Sequence, residues 1–326
     1  MRRGSIDAAQ WRPEAYAGAG CQLNRADVTT LSSATWHAIL SASHPTVLTN
    51  EPGCSAAAEA VRRGEWSDEA LATIVDHQAI VSVGGSSNTS SSFFPGPMSP
   101  EAPDHRGRMS LHAFLREYRA SARARNLYLQ STIVPTLEAK LPRPASLEQL
   151  ARGRKLQLQR ERCRFRMATG SAAPPKTWTL KGEYAGSWRD VSSAWCGRLW
   201  LGRSDGTQES HLHFDRAENL ACVVEGTKLY TLLPPNASAY VRGAADGGSA
   251  PNFSPLHVHA APHEQPHPVP PAFYDAQRRC VVAPGEMLYL PSSWWHNVVT
   301  LAGRNVAVNW WYEALDREHD AAHDEL

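Results

Sequence analysis

HFDRAENLACVVEGTKLYTLLPP, residues 213–235, is the stretch that decides the fold. It contains two runs rich in large and β-branched apolar residues, 220–224 and 228–233, on either side of a Glu-Gly pair. Such runs around a glycine are typical of two short strands joined by a tight turn, a β-hairpin. The stretch therefore predicts a β-sheet with the polar residues His213 and Asp215 close to its first strand.

The residues around this hairpin repeat the same pattern. Short β-prone runs separated by Gly and Pro lie at residues 198–202, 279–282, 287–290 and 305–311. Several short strands with tight turns predict an antiparallel sandwich or barrel. A Pro- and His-rich insert, residues 236–272, interrupts the strands as one long loop.

The N-terminal half alternates between helical and extended patterns. The predicted helices are 30–42, 56–63 and 111–124, and the predicted strands are 45–48, 79–83 and 127–130. Ser110 is predicted to cap the last of these helices, because serine is a favoured N-cap residue. Residues 84–108, rich in Ser, Pro and Gly, are predicted to form a long surface loop.

The whole chain is close to neutral, with 33 Lys and Arg residues against 32 Asp and Glu residues. Its total charge therefore gives no reason to expect nucleic acid or an acidic membrane as a partner. Residues 152–166 are the exception, since they hold seven basic residues and one acid. Two interpretations stay open for this run: a solvated helix face, or a surface that binds phosphate groups or an acidic partner.

The sequence also bears on the compartment. No run of about 18 apolar residues is present, which argues against a membrane span. Residues 1–20 contain basic residues without an apolar segment after them, so they lack the pattern of a secretory signal. We therefore expect a cytosolic or nuclear protein. The six cysteines are scattered and form no Cys-x-x-Cys pair, and we expect reduced, mostly buried thiols.

A candidate metal site combines three residues that are distant in sequence. Side chains two apart on a strand share a face, so His213 and Asp215 can point at one ion. His296 follows Pro291 and two tryptophans, and would bring a second imidazole. Two histidines and one carboxylate on one face of an octahedron are the arrangement of non-haem iron(II) oxygenases. His211 has the wrong spacing to Asp215, and we expect it to be structural.

Lys228 is the second informative residue. Its neighbours on the predicted strand are Leu229, Leu232 and Leu233, so its side chain is expected in apolar surroundings. A buried ammonium group is costly without an anion. The sequence therefore predicts a small carboxylate as the partner of Lys228.

Three segments together resemble the Jumonji C oxygenases. They are HFDRAENLACVVEGTKLYTLLPP (213–235), PGEMLYLPSSWWHNV (284–298) and VNWWY (308–312). The similarity extends over about residues 128–312, and it is strongest to the small hydroxylase branch that contains the asparaginyl hydroxylase called factor inhibiting HIF. The resemblance implies a mainly β fold with α elements: a double-stranded β-helix (jelly-roll, or cupin) core with an N-terminal helical and mixed α/β elaboration.

The resemblance implies a role for each matching position. His213, Asp215 and His296 match the ligands of the catalytic iron(II). Lys228 matches the residue that pairs with the far carboxylate of the cosubstrate 2-oxoglutarate, and Tyr128 matches a tyrosine that also touches this carboxylate.

Four further positions complete the implied pocket. Ser210 stands where the family has a hydroxyl donor to the cosubstrate. Asn219 and Asn309 match pocket asparagines near the metal and the cosubstrate, and Gln130 matches a position that faces the substrate.

By this resemblance the chain divides into three parts. These are an N-terminal helical and mixed region (1–126), a Jumonji C catalytic domain (127–312) and a charged C-terminal tail (313–326). Relatives often dimerise through C-terminal helices, and the short tail puts a homodimer in doubt here.

The implied activity is hydroxylation of a protein side chain with Fe(II), 2-oxoglutarate and O2, giving succinate and CO2 as co-products. No appended zinc finger or chromatin-reader module is visible in the sequence, which favours a small hydroxylase. Three alternatives stay open: hydroxylation of a modified tRNA base, favoured by the basic run alone, histone lysine demethylation, and a catalytically inactive cupin-like binding protein.

The insert is unusually rich in histidine. His257, His259, His263 and His267 resemble a metal-binding tract in composition. Because no second cluster accompanies them, we expect instead a flexible loop over the pocket entrance.

Overall fold

The computed structural model describes residues 21–73, 79–86, 107–120, 126–132, 146, 156–158, 164–168, 186–190, 197–204, 208–241, 252–300 and 303–314. In chain order its strands are β1 (Asn24–Asp27), β2 (Thr46–Thr49), β3 (Ala79–Ser86), β4 (Gly107–Ser110), β5 (Asn126–Thr132), β6 (Leu156–Leu158), β7 (Arg164–Ala168), β8 (Gly186–Asp190), β9 (Arg198–Ser204), β10 (Gln208–Glu209), β11 (His213–Phe214), β12 (Glu218–Glu225), β13 (Lys228–Leu233), β14 (Arg278–Val282), β15 (Met287–Leu290), β16 (Trp295–Thr300) and β17 (Gly303–Ala314). Its helices are α1 (Ser33–Ala42), α2 (Pro52–Arg62), α3 (Asp68–Ala72), α4 (Leu111–Ala120), α5 (Ser238–Val241) and α6 (Ala272–Asp275), with short 3-10 helices at Pro235–Ala237 and Pro262–Glu264.

These strands form two sheets. The large sheet has the order β1-β2-β15-β12-β17-β9-β5-β3-β7-β8, with β4 beside β3 and β6 beside β17. The small sheet has the order β10-β16-β13-β14, with β11 also paired to β16. The pairing of β1 with β2 is parallel, and the strands that carry the candidate site pair in antiparallel fashion. This mainly β architecture with few helices confirms the predicted jelly-roll core.

In the fold-deciding stretch, β13 has the predicted bounds and β12 is longer than the predicted 220–224, but neither strand has the predicted pairing. Instead of pairing with each other, β12 pairs with β15 and β17, and β13 pairs with β14 and β16. The chain therefore crosses from one sheet to the other at Gly226, which has a φ of 74°. A side chain does not fit there, because a Cβ atom would lie 2.8 Å from the carbonyl oxygen of Arg304. The prediction of a β-hairpin was wrong, because β12 and β13 belong to different sheets.

Both faces of β12 are buried, and they face different layers. Leu220, Cys222 and Val224 belong to the apolar cluster beneath helices α1 to α4, on the outer face of the large sheet. Ala221 and Val223 belong to the cluster shared with the small sheet. Alternate side chains of a strand point to opposite faces, so one strand serves both layers. This arrangement holds the start of β12 rigidly beside the candidate site.

The insert covers the outer face of the small sheet. Its described part contributes apolar side chains to a third cluster, which also contains Trp295 of β16, Leu233 of β13 and Phe273 of α6; the insert's members are Ala237, Val241, Leu256 and Val258. This packing corrects the expectation of a flexible loop, because these four side chains are buried. Large apolar side chains on the insert drive it onto the sheet.

Three of the N-terminal helices begin at side-chain caps, which are Ser32 for α1, Glu51 for α2 and Ser67 for α3. The Ser32 hydroxyl accepts a hydrogen bond from the Thr35 amide at 3.1 Å and starts α1. The Glu51 carboxylate accepts from the Cys54 amide at 2.8 Å and starts α2, with Pro52 at the first helical turn. The sequence prediction began this second helix at residue 56, because it did not use the tolerance of the first turn for proline.

Two differences from the predicted strands affect the site. β3 continues to Ser86 through Gly84 and Gly85, which pair with Tyr128 and Leu127, so the predicted start of the surface loop at residue 84 was wrong. β16 was not predicted at all, although its first residues, Trp295 and His296, already pair with β11.

The cysteines differ most from expectation. Cys21 is disulfide-bonded to Cys280, and Cys54 to Cys222. The expectation of reduced thiols was therefore wrong for these four; Cys163 and Cys196 lie outside the described residues. Each bond joins the N-terminal region to a strand of a sheet. Partners separated by 259 and 168 residues cannot be recognised from local spacing.

Several predictions concern residues outside the described ranges. These are the N-terminal residues 1–20, most of the loop 84–108, most of the basic run 152–166 and the end of the charged tail, residues 315–326. No helix within the described part of the chain is long and apolar enough to cross a membrane.

We expect reduction of the Cys54–Cys222 bond to lower the free energy of unfolding by about 2–4 kcal/mol, because the bond closes a long loop in the unfolded chain. The measurement is urea denaturation of the wild type with and without a reductant, beside the C54S/C222S variant. Peptide mapping of the unreduced protein identifies the linked pairs. Unlinked peptides containing Cys54 and Cys222 would contradict the assignment.

Candidate metal centre and cosubstrate pocket

Two of the predicted ligands face each other across neighbouring strands. His213 of β11 pairs in register with His296 of β16, and their ring centroids are 4.2 Å apart. The Nδ1 atom of His213 lies 2.8 Å from the carbonyl oxygen of His211, and that of His296 lies 3.0 Å from the carbonyl oxygen of Trp294. When Nδ1 donates to a carbonyl, the lone pair is on Nε2, so both rings are oriented to bind a cation through Nε2.

Asp215 completes the group. Its Oδ2 atom lies 3.9 Å from Nε2 of His296, and one ligand atom from each of His213, Asp215 and His296 lies within 4.8 Å of the others. The indole of Trp311 donates a hydrogen bond to the same carboxylate at 3.0 Å and fixes its orientation. The backbone carbonyl of Asp215 accepts from the Ser293 amide, which fixes the main chain.

The chemistry of this group fits iron(II). Burial, with a smaller contribution from the nearby His213, lowers the pKa of His296 to about 4, against the opposing effect of Asp215. The ring is therefore neutral at physiological pH, which is the form that binds metals. Two neutral imidazoles and one carboxylate match the donor set of non-haem iron(II) oxygenases.

Lys228 lies in the same cavity, away from these ligands. Its ammonium group donates hydrogen bonds to the Tyr128 hydroxyl at 2.9 Å and to the Thr300 hydroxyl at 3.0 Å. The side chain is buried, and desolvation lowers its pKa to about 7. Among the described residues that line the cavity, Asp215 is the one acid. An anionic ligand would thus offset the cost of burying Lys228.

The two predicted pocket asparagines form one unit with a tryptophan. Asn309 of β17 donates to the Oδ1 atom of Asn219 at 3.0 Å, and its own Oδ1 atom accepts from the Trp200 indole at 2.6 Å. All three line the cavity, which has a volume of about 220 Å³. The asparagines therefore hold each other at the wall of the cavity.

Ser210 lies in the lining, and its hydroxyl accepts from the Val298 amide at 2.8 Å. The implied role of this hydroxyl as a donor to the cosubstrate stays a prediction. Besides the Tyr128 hydroxyl, Lys228 contacts the hydroxyl of Thr300, which sequence analysis missed. His296 and Thr300 lie four residues apart on one strand and therefore on one face. Recognition of β16 would have found Thr300.

The cavity also contains residues that the sequence did not identify. Tyr230, two residues after Lys228, lies on the same face of β13. The insert contributes Asn252 and Phe253, and the ring of Phe253 stacks on His213 with centroids 5.3 Å apart. Arg198 of β9 lines the cavity as well. The side chain of Gln130 lies outside what the structure describes.

The histidines of the insert take no part in this group. Among the described residues, the one set of three or more His, Cys, Asp or Glu side chains able to hold a cation is His213, Asp215 and His296. His257 and His259 flank Val258, which belongs to the apolar cluster between the insert and the small sheet. His211 also lies outside the group, in agreement with a structural role.

Comparison with known proteins supports this interpretation. A family model described as a cupin-like domain matches residues 32–318, which is most of the chain. The chain belongs to this family. Its sequence relatives support the predicted placement within the Jumonji C group of this family.

Three relatives are informative. Lysine-specific demethylase JMJ32 of Arabidopsis thaliana is 31% identical over 142 residues, which are 35% of this chain and 41% of that protein. The human bifunctional peptidase and (3S)-lysyl hydroxylase JMJD7 is 32% identical over 138 residues, 37% of this chain and 42% of that protein. tRNA wybutosine-synthesizing protein 4 of Gibberella zeae is 27% identical over 124 residues, 37% of this chain and 11% of that protein.

The matched region covers less than half the length of each of these relatives. The activities in the names of these relatives differ from one another. They do not single out the branch of the asparaginyl hydroxylase, so the resemblance to that branch remains a prediction.

Replacement of Thr300 by alanine should lower the affinity for 2-oxoglutarate by about tenfold, the effect of losing one hydrogen bond to a charged group. Replacement of Ser210 by alanine should have a smaller effect, because its hydroxyl contacts backbone. Calorimetric titration of 2-oxoglutarate into the Mn(II)-loaded proteins compares the two variants. Equal affinity in wild type and T300A, with a large loss in S210A, would reverse the assignment.

The affinity for 2-oxoglutarate should fall as the pH rises above 7. Lys228 has a pKa of about 7 and is charged below that value, so it meets the carboxylate without proton uptake. Above pH 7 the neutral amine must gain a proton on binding, which weakens apparent affinity by up to about tenfold per pH unit. Titration in buffers of different ionisation enthalpy measures this uptake. The K228R variant is the control, because arginine stays charged and should take up no proton.

Proposed function

We propose that the protein is an Fe(II)- and 2-oxoglutarate-dependent dioxygenase that hydroxylates a side chain of a protein substrate. The observation that supports this proposal is the presence of two complementary sites in one cavity. His213, Asp215 and His296 offer a cation three ligands. Lys228, held by Tyr128 and Thr300, offers an anion a buried positive partner.

Different residues would bind the metal and the cosubstrate. The two histidines and Asp215 would hold the metal, and Lys228 would bind the far carboxylate of 2-oxoglutarate by a charge-assisted contact in a low-dielectric cavity. Iron(II), when bound with 2-oxoglutarate and O2, supplies the oxidising chemistry, in which succinate and CO2 form and a hydroxyl group replaces hydrogen on a substrate carbon. Asn219 and Asn309 fix the wall beside these groups.

A protein substrate is favoured by the relatives. The human relative is described as a lysyl hydroxylase, and the Arabidopsis relative as a lysine-specific demethylase. A tRNA base is the second candidate, because the relative from Gibberella zeae is a tRNA-modifying protein and residues 152–166 are strongly basic. A cytosolic or nuclear location stays part of the proposal, although paired cysteines are more typical of oxidising compartments.

The purified protein should form succinate from 2-oxoglutarate in a reaction that requires iron(II). We expect the H213A variant to lose this activity to background, since one of three ligands is removed, while R203A on the exposed end of β9 keeps it. Mass spectrometry of treated peptide libraries should then show a gain of one oxygen. The same gain on a tRNA nucleoside would support the second candidate, and absence of iron-dependent succinate would contradict both.

A further inference from the structure

Residues 252–254 of the insert pair with β11 in antiparallel fashion. The Phe214 amide donates to the carbonyl oxygen of Asn252 at 3.0 Å, and the Ser254 amide donates to that of Leu212 at 2.9 Å. The Asn252 side chain adds a third bond, in which its Nδ2 atom donates to the carbonyl oxygen of Phe214 at 3.1 Å. The segment therefore occupies the edge of β11 that lies opposite β16.

This second neighbour matters because β11 is very short. The strand consists of His213 and Phe214, and His213 is half-buried, whereas its partner His296 is 5% exposed. A pairing of two residues contributes few hydrogen bonds, so β11 gains little rigidity from β16 alone. The insert segment holds the strand from its other side.

The ring of Phe253 lies nearly parallel to the imidazole of His213. Their centroids are 5.3 Å apart and their planes differ by 12°. The Nδ1 edge of the imidazole contacts the carbonyl oxygen of His211 at 2.8 Å. Because Phe253 covers a face of the imidazole, it restricts rotation of the ring without occupying the Nε2 edge. This is the edge that would bind a cation together with Asp215 and His296.

Metal coordination would strengthen the stack. An imidazole that shares its Nε2 lone pair with a cation becomes more electropositive, and the face of a phenylalanine ring attracts positive charge. A contact that is stronger in one state of a site shifts the equilibrium toward that state. The coupling is reciprocal, so the stack would favour metal binding and the metal would favour the stack.

We propose that Phe253 is a positioning residue, through which docking of the insert on β11 raises the metal affinity of the site. This inference rests on the metal centre of the proposed function and adds the insert to it. Phe253 acts through His213 and contributes no ligand atom of its own. Groups that orient a metal ligand from outside the coordination sphere commonly affect metal affinity.

The first measurement is the affinity of the metal-free protein for Mn(II), read from the relaxation of water protons. The F253L variant keeps an apolar side chain but loses the flat ring, and it should bind Mn(II) about threefold to tenfold more weakly. The F253Y variant keeps the ring and should bind as the wild type does. Equal Mn(II) affinity in wild type and F253L would overturn the inference.

A matched control separates this role from general stabilisation by the insert. Val258 belongs to the same insert and is buried against the small sheet, and it does not line the cavity. The V258A variant should unfold at a lower temperature and keep the wild-type Mn(II) affinity. Equal losses of affinity in V258A and F253L would mean that the insert acts through the stability of the fold, which contradicts a specific role of Phe253.

The second measurement uses the wild-type protein and tests the reciprocal effect. Hydrogen exchange with mass spectrometry follows the peptide that contains Ser254, whose amide donates to Leu212. Mn(II) should slow this exchange by about threefold to tenfold, the factor by which the stack raises the metal affinity. Exchange that is unchanged by bound Mn(II) would overturn the inference independently of any variant.

These outcomes are distinguishable from failure of the proposed function. If wild type and F253L bind Mn(II) equally well, the role of Phe253 is lost and the metal centre remains. If the wild type does not bind Mn(II), the metal centre is lost, and the role of Phe253 with it.

Discussion

The pairing of β11 with β16 is the constraint on which the candidate site depends. It places His213 directly opposite His296, although 82 residues lie between them in the sequence. The register of this strand pair is what brings the two histidines together. A slip of one residue would turn His296 to the outer face of the small sheet. That face is occupied by Trp295, whose ring packs edge-on against Phe214 and among the apolar side chains of the insert. The insert therefore stabilises the register that brings the two imidazoles together.

The cavity contains polar groups that cost stability without a ligand. Lys228 is fully surrounded by protein, and its two hydroxyl partners satisfy hydrogen bonds but carry no compensating charge. A chain selected for stability alone would place an apolar residue there. The energetic cost of burying a charge without a charged partner is typical of functional sites, where a ligand provides that partner. This is why the lysine carries more functional information than the tryptophans that surround it.

Much of the core could be predicted from the sequence, because its signals are local. The bounds of β13 and β15 follow from apolar runs that end at Gly or Pro, and the spacing of His213 and Asp215 follows from the two-residue period of a strand. The choice of sheet for each strand is not local. The crossing at Gly226 depends on the close approach of Arg304, which belongs to β17.

The missed features share this dependence on distant partners. Thr300 contacts Lys228 only because β16 lies beside β13, and the disulfides join residues far apart in the chain. The division at residue 126 shows the same effect. β2 pairs with β15, and β15 pairs with β12, so the predicted N-terminal region continues the sheet that carries the site.

The charged groups of the cavity occupy separate positions along it. Lys228 lies at the end closed by Tyr128 and Thr300, the predicted metal ligands follow, and Arg198 lies beyond Asp215 across Trp311. A cosubstrate with two acidic ends can therefore bridge Lys228 and a cation held by the three ligands. Both contacts are stronger in this buried, largely aromatic cavity than they would be in water, because the surroundings have a low dielectric constant.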